Sequence, residues 1–461
     1  MNPATTSQHT QTPESLETIR TALRAVDQQD PTIRAVVELY ADSALAVAHQ
    51  QDLLGVPRSE PMVGTPIVVK DIYDVAGRVT GNGSAASPTT PAREDAEAVR
   101  RARAAGAIIL AKVTTHEYAY GVNTPPTRNP HDVGRIPGGS SGGTAAAIAA
   151  GMAVSGFGTD TGGSIRIPAA LCGVAGHKPT YGLVSRRGIS AISSTLDHAG
   201  PLGRSVSDVA RLLAVIAGHD PRDPYSIRVG PMDVMAEFGR PTQGLTIGVS
   251  DDYFCDRLTD DVAEAFTDTV AMLTAAGARV VPVRIPGLSD CPEVLTTIAS
   301  VEALAWHTGQ PNIARDRYGP DVVTALETGR AVAALDYVRA MARRAELTRD
   351  MVGVFDDIDF LISPTVALTA PEYGSDHVDL GGRNTPILDG LNALTIPANI
   401  TGIPALSVPC GFGRDGLPIG FQIMGPPLAD AGVLGLGATV ERLRAATTSP
   451  TTTTPQEGTS W

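Results

Sequence analysis

Lysine is scarce in this chain of 461 residues, where it occurs only as Lys70, Lys112 and Lys178. The other 33 of the 36 basic residues are arginines, whose guanidinium stays protonated and cannot serve as a base. A buried lysine, in contrast, can lose its proton. Each of the three lysines therefore needs a structural or a chemical reason.

Positive charge is also in short supply, because 49 acidic residues against 36 basic ones give a formal net charge of −13. This balance argues against nucleic acid or an anionic membrane as the main partner. No apolar run reaches the roughly 18 residues that a membrane-spanning helix requires. The polar N-terminus lacks the basic start and the apolar core of a secretory signal. The few cysteines are scattered without a CxxC pair and predict free, mostly buried thiols in a reducing cytoplasm: Cys172, Cys255, Cys291 and Cys410.

The composition itself, with 43% hydrophobic and 18% charged residues, is typical of a globular protein. Helical and strand-like stretches alternate and predict an α/β layered fold. Residues 15–54 show helical spacing, with 36–54 as a second stretch, and the apolar run 66–69 predicts a buried strand that ends at Lys70. Thr259 is a candidate cap for a helix over 260–275. Residues 1–14 are predicted to be mobile, and the Thr/Pro-rich tail 447–461 to be disordered.

Two serines lie in glycine-rich segments 24 residues apart, Ser140 in GGSSGG (138–143) and Ser164 in GTDTGGSIRIP (158–168). Consecutive backbone N–H groups in such turns bind developing negative charge, but a serine hydroxyl still needs a base. The first segment also matches G-x-S-x-G, the nucleophile elbow of α/β-hydrolases, yet residues 128–137 cannot form the buried strand that must precede it. A serine–lysine arrangement remains, since desolvation at a strand end lowers the pKa of Lys70.

At these positions the chain resembles the amidase signature hydrolases. The core motif spans 138–182 and includes AGHKPTYG (175–182), and further landmarks lie at 195–201, 359–365, 403–409 and 417–425. The resemblance implies a single large α/β/α layered domain over 15–446, with a central mixed, mostly parallel β-sheet. It also implies a metal-independent enzyme without a cofactor that acts on a small amide-like molecule, and it is compatible with a homodimer.

The resemblance further implies a Ser–cis-Ser–Lys triad. Ser164 would be the nucleophile, Ser140 the bridging serine after a cis peptide bond from Gly139, and Lys70 the base as a neutral amine. Together with the N–H of Ser164, the oxyanion hole would consist of Thr161, Gly162 and Gly163.

Other candidate residues have supporting or ambiguous roles. Ser141 is expected to support the triad, and Asp160 and Arg166 to form a buried ion pair that braces the nucleophile loop. Ile167 and Gly139 are candidates for the substrate pocket, with core packing an equally good interpretation of Ile167. The remaining candidates are expected to be structural: Lys112, Lys178, His177 and His198. A solvated strand end is one interpretation of Lys112. His116-Glu117 begins like a zinc motif, but Tyr120 stands where the second histidine would be.

Three functions compete. The first is hydrolysis of a small amide with a neutral or aromatic acyl group, because Ile167 is apolar and no basic residue lies between Arg166 and His177. Carbamates, ureides and esters are alternative substrates. The second function is that of the glutaminase half, the "A" component, of a tRNA-dependent glutamyl/aspartyl amidotransferase, although residues 314–345 look like the generic amidase pattern. The third is a binding protein with a degenerate site, against which the intact Lys70, Ser140 and Ser164 argue.

Overall fold

The computed structural model describes residues 14–57, 60–230 and 232–448. The predicted mobile segment 1–14 lies outside the described residues except for Glu14, which begins the first helix. The predicted disordered tail 447–461 lies outside them except for Thr447 and Thr448, which end the last helix. Among the described residues, no helix is long and apolar enough to cross a membrane.

Fourteen α-helices and thirteen β-strands occur within these residues. The helices are α1 (Glu14–Ile33), α2 (Ala41–Leu54), α3 (Glu97–Ala104), α4 (Gly142–Ala149), α5 (Arg166–Cys172), α6 (Val206–Ile216), α7 (Asp251–Phe254), α8 (Asp260–Ala275), α9 (Cys291–Thr308), α10 (Pro320–Ala331), α11 (Ala334–Gly353), α12 (Ile387–Asn392), α13 (Ile396–Thr401) and α14 (Asp430–Thr448). The strands are β1 (Val36–Leu39), β2 (Pro66–Lys70), β3 (Ile108–Val113), β4 (Ser155–Asp160), β5 (Ala175–Lys178), β6 (His198–Gly203), β7 (Thr246–Val249), β8 (Arg279–Pro282), β9 (Phe360–Pro364), β10 (His377–Leu380), β11 (Arg383–Pro386), β12 (Ala405–Phe412) and β13 (Pro418–Met424).

Eleven of the described strands form one sheet, in the order β1-β3-β2-β4-β6-β5-β12-β13-β9-β7-β8. β2 runs parallel to β3 and β4, and β7 runs parallel to β8 and β9. The strands between these two blocks pair antiparallel. The predicted mixed α/β sheet is therefore confirmed, with a larger antiparallel share than expected. The physical reason is that no helix separates β5 from β6 or β12 from β13, and strands joined without a crossover pair antiparallel.

Helices cover both faces of this sheet, which confirms the layered α/β/α arrangement. Successive side chains of a strand point to opposite faces. Accordingly, Val68 of β2 belongs to a hydrophobic cluster with α1, α2 and α4, whereas Ile67 and Val69 belong to a cluster with α3 and α6. All five residues of β2 are buried, as expected of a strand covered on both faces, and the strand ends at Lys70 as predicted.

Residues 36–39 depart from the prediction, since they form strand β1 rather than part of a helix. The chain turns beforehand at Arg34, whose φ is 58°, and the Asp30 carboxylate accepts the N–H groups of Ala35 and Val36 at 2.7 and 3.0 Å. β1 then pairs antiparallel with β3 at the edge of the sheet. Tertiary pairing thus overrides the helical spacing, and the β-branched Val36 is well suited to a strand.

The helix predicted over 260–275 is present as α8. Thr259 does not cap it through its side chain, because that hydroxyl donates to the carbonyl of Ala367 at 3.3 Å. The backbone N–H of Thr259 donates to the same carbonyl at 2.9 Å. The residue therefore ties the start of α8 to the segment after β9 instead of closing the helix end.

The sheet brings the two glycine-rich segments to one edge. Residues 138–141 lead into α4, and residues 161–165 connect β4 to α5. β2 and β4 are parallel neighbours, so their carboxyl ends meet at the same edge of the sheet. Lys70 at the end of β2 therefore lies beside the end of β4. Ser164 is in the turn that follows β4.

Candidate active site

Lys70 places its ammonium group among three hydroxyls inside the protein. The side chain is fully buried. Its Nζ donates to Oγ of Ser140 at 2.7 Å, to Oγ of Ser141 at 3.0 Å and to Oγ1 of Thr159 at 2.9 Å. The structure thus brings Lys70 together with Ser140, the predicted bridging serine, and Ser141, the predicted supporting serine.

The surroundings of Lys70 favour its neutral form. Burial lowers the pKa of Lys70 to about 7, although the charges of Asp160 and Asp197 oppose this shift. Neutral hydroxyls solvate an ammonium ion less effectively than a paired carboxylate would, and no carboxylate in the described residues forms an ion pair with Nζ. Burial therefore favours the unprotonated amine, the form that a general base requires.

Ser140 follows a cis peptide bond from Gly139. Its carbonyl oxygen accepts the N–H of His116 at 3.2 Å and the hydroxyl of Thr124 at 3.3 Å. A Cβ at position 139 would lie 2.7 Å from both Oγ1 of Thr124 and the carbonyl carbon of Val122. Only glycine fits here, because the chain 122–124 passes directly over this peptide.

Ser164 lies in the turn between β4 and α5 and is 8% exposed. Its carbonyl oxygen accepts the N–H of Ser141 at 3.2 Å, which joins the two serine-bearing segments. Within the described residues its hydroxyl makes no hydrogen bond, so it is free to turn toward a substrate. The preceding Gly163 has a φ of 131°, and a Cβ there would overlap with the hydroxyl of Thr395.

Asp160 and Arg166 form the predicted ion pair, with both side chains at 0% exposure. The guanidinium donates through Nε to Oδ2 at 2.9 Å and through NH2 to Oδ1 at 2.9 Å. Burial alone would raise the pKa of Asp160, but the Arg166 charge outweighs it and holds that pKa below its ordinary value. Arg166 also donates to the side chains of Gln422 and Asn399 at 2.7 and 2.6 Å. The pair therefore anchors both ends of the nucleophile loop to the C-terminal part of the domain.

The backbone amides of the loop differ in what they contact. The N–H of Gly163 donates to Oδ1 of Asp160 at 2.8 Å and is therefore not free to bind an oxyanion. The N–H groups of Thr161, Gly162 and Ser164 make no hydrogen bond within the described residues. Of the four amides predicted to form an oxyanion hole, three are therefore unbonded within the described residues, whereas that of Gly163 is bonded to Asp160. The oxyanion hole itself stays a prediction.

Two residues that touch this site were not singled out from the sequence. Thr159 lies in the glycine-rich segment without a distinguishing feature, yet its hydroxyl is the third contact of Lys70. Asp197 accepts the hydroxyl of Thr161 at 2.6 Å and the backbone N–H groups of residues 192 and 193. The available signals were the alternation of side chains along β4 and the landmark segment 195–201, in which Asp197 lies.

The other two lysines are buried as well. Lys112 pairs with Asp71 at 2.7 Å and is 1% exposed, so the interpretation as a solvated strand end is wrong. It holds the residue that directly follows Lys70. Lys178 donates to the carbonyl of Ile403 at 2.6 Å, which links β5 to the start of β12.

The remaining candidates lie around the site rather than in it. His177 contacts the Asp430 carboxylate at 2.9 Å, and Nδ1 of His198 lies 2.7 Å from the carbonyl of Leu196. Ile167 is 1% exposed and packs in a hydrophobic cluster behind the loop. Its burial fits the core interpretation, and a role in the substrate pocket stays a prediction. Gly139 is buried too and forms the wall behind Ser140.

Comparison with known proteins identifies the family to which this arrangement belongs. The family model "Amidase" matches residues 17–434. The chain belongs to the amidase signature family. It is 39% identical over 434 residues to an amidase of Pseudomonas putida. The aligned stretch covers 93% of this chain and 92% of the relative.

Other known proteins are nearly as similar. The chain is 37% identical over 465 residues to the "A" component of the glutamyl-tRNA(Gln) amidotransferase of Chloroflexus aurantiacus, with 93% of each chain covered. A solved structure from a vestigial protein complex that reveals the origins of an s-triazine catabolic enzyme superimposes with a TM-score of 0.86 at 33% identity. That comparison covers 93% of this chain and 95% of the other, so the shared fold extends over nearly the whole chain.

Proposed function

We propose that the protein hydrolyses the C–N bond of a small amide through an acyl-enzyme on Ser164, with Lys70 as the base and Ser140 as the proton relay. The observation that carries this proposal is the buried amine of Lys70, which contacts the Ser140 hydroxyl at 2.7 Å, and burial lowers its pKa to about 7. Membership of the amidase signature family supports hydrolysis as the reaction.

Acylation would proceed as a coupled proton transfer. The neutral amine of Lys70 takes the proton of Ser140 while Ser140 takes that of Ser164, and Oγ of Ser164 forms a bond to the substrate carbonyl carbon. The carbonyl oxygen becomes negative and is stabilised by the free N–H groups of the loop. The proton then returns through Ser140 to the substrate nitrogen, the C–N bond breaks, and the amine leaves.

Deacylation would repeat these steps with water in place of the amine. Lys70, again neutral, accepts a proton through Ser140 from a water molecule. That water attacks the carbonyl carbon of the acyl group that is esterified to Oγ of Ser164. The same amides stabilise the second oxyanion, and the bond between Oγ and the acyl carbon breaks as Ser164 regains its proton. The products are a carboxylic acid and the restored triad.

The acyl group is proposed to be neutral or aromatic. Arg166 is the cation nearest to the nucleophile along the chain, but Asp160, Gln422 and Asn399 already occupy its guanidinium. It is therefore not available to bind a substrate carboxylate. Hydrolysis rates on a panel of amides, ureides, carbamates and esters test this: aryl and alkyl amides should exceed malonamate-like acids, and the reverse order would contradict it.

The glutaminase half of a tRNA-dependent amidotransferase is the second candidate, favoured by 37% identity to such a protein. A glutaminase assay separates the two functions. Hydrolysis of aryl amides by the purified chain alone supports the first, whereas glutamine hydrolysis that appears only with partner proteins of the amidotransferase supports the second. A cytoplasmic location and a homodimer stay predictions, and light scattering would detect the latter against a chain mass of 47.7 kDa.

Labelling with a serine-directed fluorophosphonate tests the proposed nucleophile. We expect the label on Ser164, and we expect no label in Ser164→Ala. Folding of the variant is verified by circular dichroism. A wild-type chain that does not react, or that reacts at another serine, would contradict the proposal and favour a binding protein with a degenerate site.

A further inference from the structure

Asp197 is a buried carboxylate that the proposed mechanism does not use. It lies directly before β6 and is 7% exposed. Its Oδ1 accepts the hydroxyl of Thr161 at 2.6 Å, and its Oδ2 accepts the backbone N–H groups of Ile192 and Ser193 at 2.9 and 3.1 Å. All three partners are donors, which suits an ionised carboxylate. A charged group is therefore bonded directly to the nucleophile loop (residues 161–165).

We propose that Asp197 is a positioning residue for this loop: through the Thr161 hydroxyl it fixes the unbonded N–H groups of Thr161 and Gly162, which stabilise the substrate oxyanion. The inference rests on the proposed amide hydrolysis, in which these amides bind the negative oxygen. Asp197 itself touches neither the substrate nor the reacting atoms. It acts through the conformation of the loop.

The later residues of the loop are held by other groups. Asp160 accepts the N–H of Gly163 at 2.8 Å. The hydroxyl of Thr395 donates to the carbonyl oxygen of Gly162 at 2.6 Å. The loop is therefore fixed at its centre by partners that do not involve Asp197.

The first residue of the loop depends on Asp197. Among the described residues, the Thr161 side chain makes its one hydrogen bond with this carboxylate, and the Thr161 N–H makes none. Backbone donors stabilise an oxyanion most strongly when their direction is fixed before the reaction. The contact with Asp197 supplies that constraint at the start of the loop, where the strand β4 has already ended.

The position of Asp197 is in turn fixed by α9. Ser193 receives the N–H of Asp197 on its carbonyl oxygen at 3.0 Å, and it donates its hydroxyl to Glu302 of α9 at 2.5 Å. The Glu302 carboxylate also accepts the N–H and the hydroxyl of Thr195 at 3.0 and 2.9 Å. The segment 193–197 is therefore tied to a long helix, and Asp197 is a fixed point to which the nucleophile loop is attached.

The charge of Asp197 has a second effect, which a test has to separate. Burial raises the pKa of Asp197, and the charge of Arg186 opposes this shift. Burial lowers the pKa of Lys70, and the charges of Asp160 and Asp197 oppose that shift. Loss of the Asp197 charge would therefore make Lys70 a weaker base in addition to releasing the loop. A variant of Thr161 separates the two effects, because it leaves the charge in place.

Two variants break the contact from its two sides. Asp197→Asn removes the charge and one acceptor oxygen, and Thr161→Val removes the hydroxyl and keeps the branched shape of the side chain. The probe is a fluorophosphonate, whose phosphoryl oxygen takes the place of the substrate oxygen. The readouts are the maximum rate of labelling and the probe concentration that gives half of it. Labelling at about pH 9, roughly two units above the pKa of Lys70, keeps this amine neutral in every variant.

We expect each variant to lower the maximum rate by about tenfold to a hundredfold, the range that corresponds to one hydrogen bond to a charged group. The half-saturating concentration should stay nearly unchanged, because the groups that bind the probe remain. The final extent of labelling should equal that of the wild type, which a partly unfolded variant would not reach. The double variant should be no slower than the slower single variant, because both changes break the same contact.

Asp220→Asn is the matched control. Asp220 is 4% exposed and accepts the hydroxyl of Ser185 at 2.8 Å and the backbone N–H of Arg222 at 2.9 Å, but none of its hydrogen bonds within the described residues reaches the nucleophile loop. The control should be labelled at the wild-type rate.

The outcomes separate this inference from the proposed function. An unchanged maximum rate in Thr161→Val would overturn the inference even if Asp197→Asn is slow, because the effect would then come from the charge on Lys70. Effects that multiply in the double variant would overturn it as well. In both cases, labelling of Ser164 in the wild type would still support the proposed function. A wild-type chain that is not labelled would overturn the proposed function and the inference with it.

Discussion

Replacing Asp160 with asparagine would leave the guanidinium of Arg166 buried without an opposite charge. Both side chains are at 0% exposure, and two hydrogen bonds of 2.9 Å join them. Asparagine keeps the shape of the side chain, but it removes the charge and replaces one acceptor oxygen with an NH2 group. That group faces the donors of Arg166 or Gly163 and cannot accept from them.

The expected loss of stability follows from these contacts. Removing one partner of a buried ion pair costs about 3–5 kcal/mol. Arg166 keeps neutral acceptors on Thr395, Gln422 and Asn399, which reduces the loss, whereas the N–H of Gly163 loses an anionic acceptor, which increases it. We therefore expect the free energy of unfolding to fall by about 4 kcal/mol at neutral pH. Because the pKa of Asp160 is lowered in the folded state, the difference should shrink as the pH falls below about 4.

Urea unfolding followed by tryptophan fluorescence measures this difference. Glu327→Gln is the matched control, since its ion pair with Arg330 is 59% and 63% exposed and should contribute less than about 1 kcal/mol. The double variant Asp160→Asn/Arg166→Met should be more stable than Asp160→Asn alone, because it leaves no unpaired charge. A change below about 1 kcal/mol in Asp160→Asn, or a double variant less stable than the single one, would refute the reasoning.

Three further predictions concern other parts of the chain. Lys112→Met should lower the free energy of unfolding by about 3–5 kcal/mol, because it leaves Asp71 buried without its cation, and a urea titration would show this. Gly163→Ala should abolish turnover in an amide hydrolysis assay, because the φ of 131° at Gly163 and the lack of space there exclude a Cβ. Gly353→Ala is the control, since a Cβ at position 353 would meet open space, and it should retain full activity. Burial raises the pKa of Glu441 to about 7 in the folded protein. The folded state therefore holds this proton more tightly than the unfolded state, and the stability that the protonated Glu441 contributes is lost as the pH rises from its unfolded-state pKa through 7. Glu441→Gln should accordingly raise the melting temperature at pH 8 and leave it nearly unchanged at pH 4. The same change in melting temperature at both pH values would contradict this.

Much of the site could be predicted because its chemistry depends on local sequence. A glycine-rich turn needs its own residues to expose backbone amides, so Ser140 and Ser164 stand out without any knowledge of the fold. The apolar run before Lys70 predicts a buried strand, and burial of a charged group follows from its place at the strand end. The strand is present in the structure. The cis peptide bond before Ser140 and the short distance from Lys70 to Ser140, which only the family resemblance implied, are present as well.

The missed features depend on contacts between distant parts of the chain. Thr159 lies 89 residues from Lys70, and Asp197 lies 36 residues from its partner Thr161, so neither spacing signals a contact. The same holds for β1, whose residues have helical spacing but pair with β3. Lys112 lies near the end of β3, where the sequence alone leaves burial and solvation open, and its contact with Asp71 shows that it is buried. Tertiary pairing decides each of these cases.

The central claim is that Lys70 acts as a neutral amine on Ser164 through Ser140. The pH dependence of fluorophosphonate labelling at Ser164 tests it most directly, because labelling reports only the activation of the nucleophile. The rate should rise with pH through an inflection near 7, in accordance with the pKa of Lys70, and then level off. In Lys70→Met the rate should fall by at least about a hundredfold and lose the inflection. An inflection near 7 that persists in Lys70→Met would contradict the assignment of Lys70 as the base.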